Sequence, residues 1–191
     1  LKDDLDNPQS FYDWIKRKIS AEPFVNHAIW VAKIVSRVTQ DKKTILWALM
    51  HDVIEDVKIG EEKLYNKYDL ELIELVKSVS EEDKSLSWHE RKEAYINHLS
   101  EVGTKSLIIS LSDRIYNLRD MILSLKENGL SVFEKFSVWF EDQERFLLNY
   151  TSKISEVIEN IDNTDIKWKI QKLNDELIVL TWYFSLIWNW E

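Results

Sequence analysis

His51-Asp52-Val53-Ile54-Glu55-Asp56 places four ionisable side chains at positions i, i+1, i+4 and i+5. On a helix, at about 100° per residue, they share an arc of about 140°. Charges gathered on one face either point to water or surround a compensating cation, because an isolated buried charge is expensive. A polar helix end with a chance His-Asp pair accounts for the same letters. Two more residues bear on the choice. His27 follows Phe24 and Val25 and precedes Ala28 and Ile29, and Asp113 sits between Leu111 and Ile115, so each is polar within an apolar pattern. One such residue alone is usually a hydrogen-bonded core group. Added to the His-Asp pair, the two complete an N/N/O/O donor set of His27, His51, Asp52 and Asp113 suited to Mn²⁺, Fe²⁺ or Zn²⁺. With no cysteine in the chain, thiolate ligation is excluded.

Glu55 and Asp56 lie one helical turn beyond the His-Asp pair, where a carboxylate can take a proton from water held nearby. The bland reading, an acidic pair at a helix C-terminus, is disfavoured by the helix dipole. Arg17 and Lys18 offer phosphate a bidentate and a point-charge partner respectively. A solvated basic helix end fits these two equally well.

The elements that would position these groups read as helices. Asn7-Pro8 is an N-cap with proline at the first helical position, opening a helix through Lys18 with Phe11, Trp14 and Ile15 on one face. A second helix runs from Phe24 to about Val38 and carries His27; a third, capped by Asp41, runs from Lys42 to about Asp56. Helices from Glu61 to Tyr68 and from Asp69 to Val79 follow, then a solvated charged loop at 81–85. Ser87-Trp88-His89-Glu90 has the capping-box pattern and opens a helix to Leu99. Thr104 to Glu127 is strongly periodic, with Asn128-Gly129 as its stop. Ser131-Val132-Phe133-Glu134 repeats the capping-box pattern and predicts a helix to Asn160, and Ile166 to Trp190 predicts the last one. The expectation is an all-α bundle of about eight to ten helices. It forms one domain over 1–191, with a motif-bearing core at 16–128 and C-terminal helices 131–191 packed on it.

Composition narrows the partners. The chain has 191 residues, 3 Gly and 2 Pro, with 34 acidic against 25 basic residues, a formal charge of −9. That field repels nucleic acid, while a few bases beside a divalent cation can still hold a small phosphate-rich ligand. No apolar run approaches membrane-spanning length and no signal-like segment opens the chain, so a cytoplasmic protein is expected. The nine Trp, among them Trp139, Trp168, Trp182, Trp188 and Trp190, are expected in the core or in a homo-oligomer contact, with contact to a purine ring as the minor alternative. His89 and His98 are assigned to structure.

The order His, His-Asp, Asp resembles that of the HD phosphohydrolase superfamily. The closer likeness is to the hydrolase domain of Rel/Spo-type alarmone enzymes and to the small alarmone hydrolases. Three segments carry it: the Glu-Pro-containing basic stretch from Lys16 to His27, His51-Asp52-Val53-Ile54-Glu55-Asp56, and Leu111-Ser112-Asp113-Arg114-Ile115-Tyr116-Asn117-Leu118-Arg119. The chain departs from the family at Val57, where Thr is frequent, and at Ser110 and Ser112, where Lys and Ala are. The resemblance implies metal ligation by His27, His51, Asp52 and Asp113. It gives Glu55 and Asp56 the attacking water, places Arg17 and Lys18 on phosphate, and sets Asn117 near the nucleoside. It also implies Mn²⁺-dependent removal of the 3′-diphosphate from guanosine tetra- or pentaphosphate. No room remains for a synthetase domain, so a hydrolase alone is expected. Other HD nucleotide phosphohydrolases, acting on deoxynucleoside monophosphates or NADPH, and an inert alarmone-binding sensor are the alternatives.

Overall fold

The computed structural model describes residues 12–17, 21–54, 68, 70–81, 85–136 and 138–188. Seven α-helices and one 3-10 helix account for the regular structure among them: α1 Phe24–Val35, α2 Lys42–Met50, α3 Leu70–Val79, α4 Trp88–His98, α5 Thr104–Asn128, α6 Phe140–Glu159 and α7 Thr164–Trp188, with the 3-10 helix at Gly129–Lys135. The only strand-like pairing among the described residues is an isolated antiparallel bridge between Lys16 and Pro23. The all-α expectation holds.

α5 is the axis of the bundle, packing against α1, α3, α7 and the 3-10 helix. Its first half is buried on nearly every side, with Leu107, Ile108, Ile109, Leu111 and Ile115 in near succession and Ser106, Ser110, Ser112 and Asp113 buried among them. A helix of that composition is stable only with neighbours on every side, and each such apolar side chain contributes about 1.5–3 kcal/mol on burial. Gly129 ends it at φ +61° and ψ −158°, a conformation open to glycine. α1 and α2 form a hairpin against α5, its turn fixed where Asp41 accepts from Lys43 N and from the Thr44 hydroxyl. The capping box opening α4 is present as read, Ser87 and Glu90 bonding each other's backbone.

Several expectations need correction. The stretch 12–17 is no helix. Trp14 takes φ +73° and the chain reverses, with Arg17 N donating to Glu22 O at 2.9 Å and Phe24 N to Ile15 O at 2.8 Å. These donors therefore bond across a hairpin rather than along a helix. Tyr12 takes the buried place expected for Trp14, stacking on Phe24 at 5.3 Å, and Trp14 is fully exposed. α2 stops at Met50, and 51–54 form a turn. The helix expected from Glu61 lies outside the described residues, as do Phe11, Lys18, Glu55 and Asp56.

The second capping box does not form. The Ser131 hydroxyl instead donates back to Asn128 O at 2.8 Å, Val132 and Phe133 plug the core, and α6 begins only at Phe140. Glu81 is not solvated: its carboxylate bonds Arg91 and Lys92 and is largely buried. On α7 the inward stripe is Ile170, Leu173, Leu177, Thr181 and Phe184, which leaves Trp168 and Trp182 outside at 61% and 68% exposure. Trp139 is exposed too, while the Trp188 side chain and Trp190 lie outside the described residues.

Candidate metal centre

Two helices and the turn that follows a third bring four side chains together. His27 projects from the first turn of α1, His51 is the C-cap of α2, Asp52 follows it in the turn, and Asp113 stands midway along α5. Because α2 ends at Met50, His51 and Asp52 are aimed by a turn and not by a continuing helix. The His51 Nδ1–H donates to Ala48 O at 2.8 Å, which turns Nε2 towards the cluster. His27 is wedged between Phe24 and Tyr116, ring centroids 5.2 and 5.0 Å away, and its Nδ1 is buried without a partner.

One ligand atom from each of His27, His51, Asp52 and Asp113 lies within 4.8 Å of the other three. His27 Nε2 is 3.1 Å from His51 Nε2, 3.0 Å from Asp52 Oδ2 and 3.3 Å from Asp113 Oδ1; His51 Nε2 is 3.0 and 3.5 Å from the same two oxygens. Donors about 2.1 Å from a shared ion, at octahedral or tetrahedral angles, stand about 3.0–3.4 Å apart. The cluster therefore has the dimensions of a coordination shell. Its electrostatics ask for a cation. Burial opposes charge on His51, yet the Asp52 and Asp113 carboxylates overcome it and raise the imidazole well above its ordinary range. Burial opposes the ionised form of both carboxylates, yet the two histidines hold Asp52 and Asp113 below the usual carboxylate range.

Around these four sits a supporting set. Asn117 Nδ2 donates to Asp113 Oδ1 at 2.6 Å, and Arg17 donates to Asn117 Oδ1 and to Asp120 Oδ2, both at 2.9 Å. Arg17 thus reaches across from the hairpin to α5, its guanidinium 5.5 Å from the Tyr116 ring centre. A cavity of about 180 Å³ opens beside Asp52 and Asp113, lined also by Arg17, Asn117, Lys92 and Arg114. The last two were not singled out from sequence. Arg114 Nη1 lies 3.7 Å from Asp113 Oδ2, and its guanidinium stands over Tyr95 and Phe146 at 5.2 and 5.4 Å. Burial disfavours its charge, but Asp113 and its other neighbours more than restore it. Its place next to Asp113 in the chain was the available signal; Lys92, on an otherwise polar helix, gave none. His89 and His98 sit apart, bonded at 3.0 Å to Asp142 and Glu101 respectively.

A family model described as HD domain matches residues 9–138, which span the hairpin, the whole cluster and α5. The chain belongs to the HD-domain family. HD domains are divalent-metal-dependent, and the cluster of His27, His51, Asp52 and Asp113 could hold such an ion. Over 101 residues this HD domain is 34% identical to the guanosine-3′,5′-bis(diphosphate) 3′-pyrophosphohydrolase MESH1 of Danio rerio, covering 52% of this chain and 56% of that protein. It is 32% identical over 108 residues to the Haemophilus influenzae protein of the same activity name, 53% of this chain but 16% of that one. The chain therefore spans about half the length, or less, of these relatives. Among solved structures, one described as a metazoan ortholog of SpoT that hydrolyses ppGpp superposes with TM-score 0.66 at 24% identity, covering 90% of this chain and 92% of that one. A Listeria monocytogenes protein superposes with TM-score 0.70 at 24% identity over 83% and 99% of the two chains. These likenesses establish the HD fold. No helix among the described residues is long and apolar enough to cross a membrane.

Proposed function

We propose that this HD domain removes the 3′-diphosphate of guanosine tetra- or pentaphosphate, releasing pyrophosphate and leaving GDP or GTP. The observation that carries the reading is the four-donor cluster beside a cavity lined by bases, in a chain whose relatives are named for that reaction. His27, His51, Asp52 and Asp113 would hold a divalent cation, Mn²⁺ by the family's precedent. When bound, such an ion neutralises the two carboxylates, makes water more acidic and polarises a phosphoryl oxygen.

The chain's own groups do the rest. His51 is locked by Ala48 O into the tautomer that presents Nε2, and Asn117 fixes the rotamer of Asp113. Such supporting bonds hold donor atoms in place ahead of binding. Water adds to the phosphorus bonded to the 3′ oxygen, and that oxygen leaves with a proton. Glu55 and Asp56, following directly on the turn that carries His51 and Asp52, orient the water and take its proton. Arg17, Lys18 and Asn117 hold the substrate, with Arg17 exchanging its bonds to Asn117 and Asp120 for phosphate oxygens. Such a substrate places the protein in the cytoplasm, and the exposed Trp168 and Trp182 on α7 offer a contact for a second copy.

A panel of guanosine tetraphosphate, deoxynucleoside monophosphates and NADPH, with pyrophosphate and orthophosphate measured separately, tests the reaction. Pyrophosphate from the guanosine substrate alone is expected. Orthophosphate from either of the others, without pyrophosphate from the first, overturns the proposal.

A further inference from the structure

Two bonded sets of polar residues line the cavity beside the cluster. Arg17 and Asn117 form one, on the side given to the nucleoside, and Lys92 and Glu81, with Arg114, form the other. The sets meet different oxygens of Asp113: Asn117 Nδ2 donates to Oδ1 at 2.6 Å, whereas Arg114 Nη1 stands 3.7 Å from Oδ2. A separation of 3.7 Å is an ion pair without a hydrogen bond. Arg114 Nε, too, is buried with no hydrogen-bond partner. At about 180 Å³ the cavity has room for a diphosphate. Pockets that enclose a whole small ligand run to about 300–1,000 Å³, so it takes the phosphate end of a nucleotide and not all of it.

Aromatic rings hold the second set in place. Arg114 stands over Tyr95 and Phe146, 5.2 and 5.4 Å from the ring centres, and Lys92 Nζ is 5.0 Å from that of Phe146. Two cations thus meet at one ring. Glu81 answers them only in part, because Arg91 bonds its carboxylate as well as Lys92. Arg17 is paired with Asp120, and a divalent ion balances Asp52 and Asp113. Among the described lining residues that leaves Lys92 and Arg114 against Glu81, two positive charges to one negative. Buried charge without compensation is costly, and an anion seated between Lys92 and Arg114 relieves it. The connectivity of the substrate supplies that anion. From a ribose beside Asn117, the 3′ oxygen brings the first phosphate to the cluster, and the second extends past Asp113 towards Arg114 and Lys92. Resting on the reaction proposed above, we propose that Lys92 and Arg114 seat the terminal phosphate of the leaving diphosphate, and so select a diphosphate over a monophosphate at the 3′ position.

Two measurements test this on the whole chain. Titration calorimetry at one fixed concentration of free Mn²⁺ compares inorganic pyrophosphate with orthophosphate. Wild type should bind pyrophosphate more tightly by on the order of tenfold or more, the effect of charge-assisted hydrogen bonds to a second phosphate. Lys92→Gln and Arg114→Gln should each lose most of that preference and keep the affinity for orthophosphate. Arg91→Gln also removes a partner of Glu81, but Arg91 lines a separate pocket, so this variant should bind pyrophosphate as wild type does. Steady-state rates with Mn²⁺ then compare guanosine tetraphosphate with guanosine 5′-diphosphate 3′-monophosphate. The ratio of kcat/KM in favour of the first should fall on the order of tenfold in the Lys92 and Arg114 variants. Wild type binding orthophosphate as tightly as pyrophosphate overturns the inference without recourse to any variant. So does a pyrophosphate preference kept by both Gln variants, or lost equally in Arg91→Gln. Absence of pyrophosphate release by wild type defeats the proposed reaction instead, and the calorimetry still decides the phosphate seat.

Discussion

Asn117 stands one helical turn after Asp113 on α5 and donates from Nδ2 to its Oδ1 at 2.6 Å, while its own Oδ1 accepts from Arg17 at 2.9 Å. One amide therefore ties the proposed metal ligand to the proposed phosphate-binding arginine, across a hundred positions of sequence. Replacing Asn117 by Ala should weaken Mn²⁺ affinity about 10- to 100-fold, the usual effect of losing a bond that orients a ligand. Asn117→Asp retains an acceptor for Arg17 but loses the donor to Asp113, and should weaken the metal as much. Competition with a chelating dye measures both, and unchanged affinity in Asn117→Ala would show that Asp113 needs no such support.

Glu55→Gln and Asp56→Asn keep shape and remove a charge. Each should retain Mn²⁺ and nucleotide and lose on the order of 10²-fold or more in turnover. A structural pair would lower the melting temperature and leave turnover per folded molecule alone. Either variant at the wild-type rate excludes that residue from proton transfer.

Glu81 predicts an acid limb in stability. Burial works against its ionised form, but Lys92 and Arg91 prevail and bring its pKa from 4.5 to about 2. A group depressed in the folded state contributes fully above its unfolded pKa and loses that contribution as pH falls towards the folded one. Glu81→Gln should therefore be less stable than wild type by on the order of 2 kcal/mol at neutral pH. The difference should shrink between about pH 4.5 and pH 2. Urea melts of both proteins across that range read it directly, and a gap independent of pH would contradict the pairing.

The Ser110 hydroxyl bridges two buried phenols, Tyr95 and Tyr150, at 2.7 Å each. Ser110→Ala leaves the pair short of a partner behind the cluster and should lower stability by about 1–3 kcal/mol without changing metal content. Denaturant unfolding and metal analysis on one preparation separate the two effects, and a Ser110→Ala protein as stable as wild type would remove this network from the account.

How far the sequence carries depends on whether a signal is local. α5 and the capping box at Ser87 are written in periodicity and in one four-residue pattern, and both form as read. The four clustered residues were legible because His27 and Asp113 break apolar patterns and so point inward. What escaped is set by tertiary competition. Residues 12–17 have helical phasing, yet Phe24 N finds Ile15 O and the chain turns back. Ser131 has a cap's surroundings, yet its hydroxyl reaches the preceding helix end. Trp168 and Trp182 look like core by size, but the inward stripe of α7 passes them by. Lys92 and Arg114 meet at the cavity only because α4 and α5 pack as they do, and no spacing encodes that.

The most direct measurement is product identification with metal content determined on the same samples. Purified protein is incubated with guanosine tetraphosphate and Mn²⁺, the products are resolved by ion-exchange chromatography, and bound metal is quantified. Wild type should carry one Mn²⁺ per chain and give GDP and pyrophosphate in equal amounts, while His51→Ala and Asp52→Ala, each missing one of the four donors, should lose both metal and products. Stoichiometric Mn²⁺ and undiminished pyrophosphate release in either variant would contradict the account.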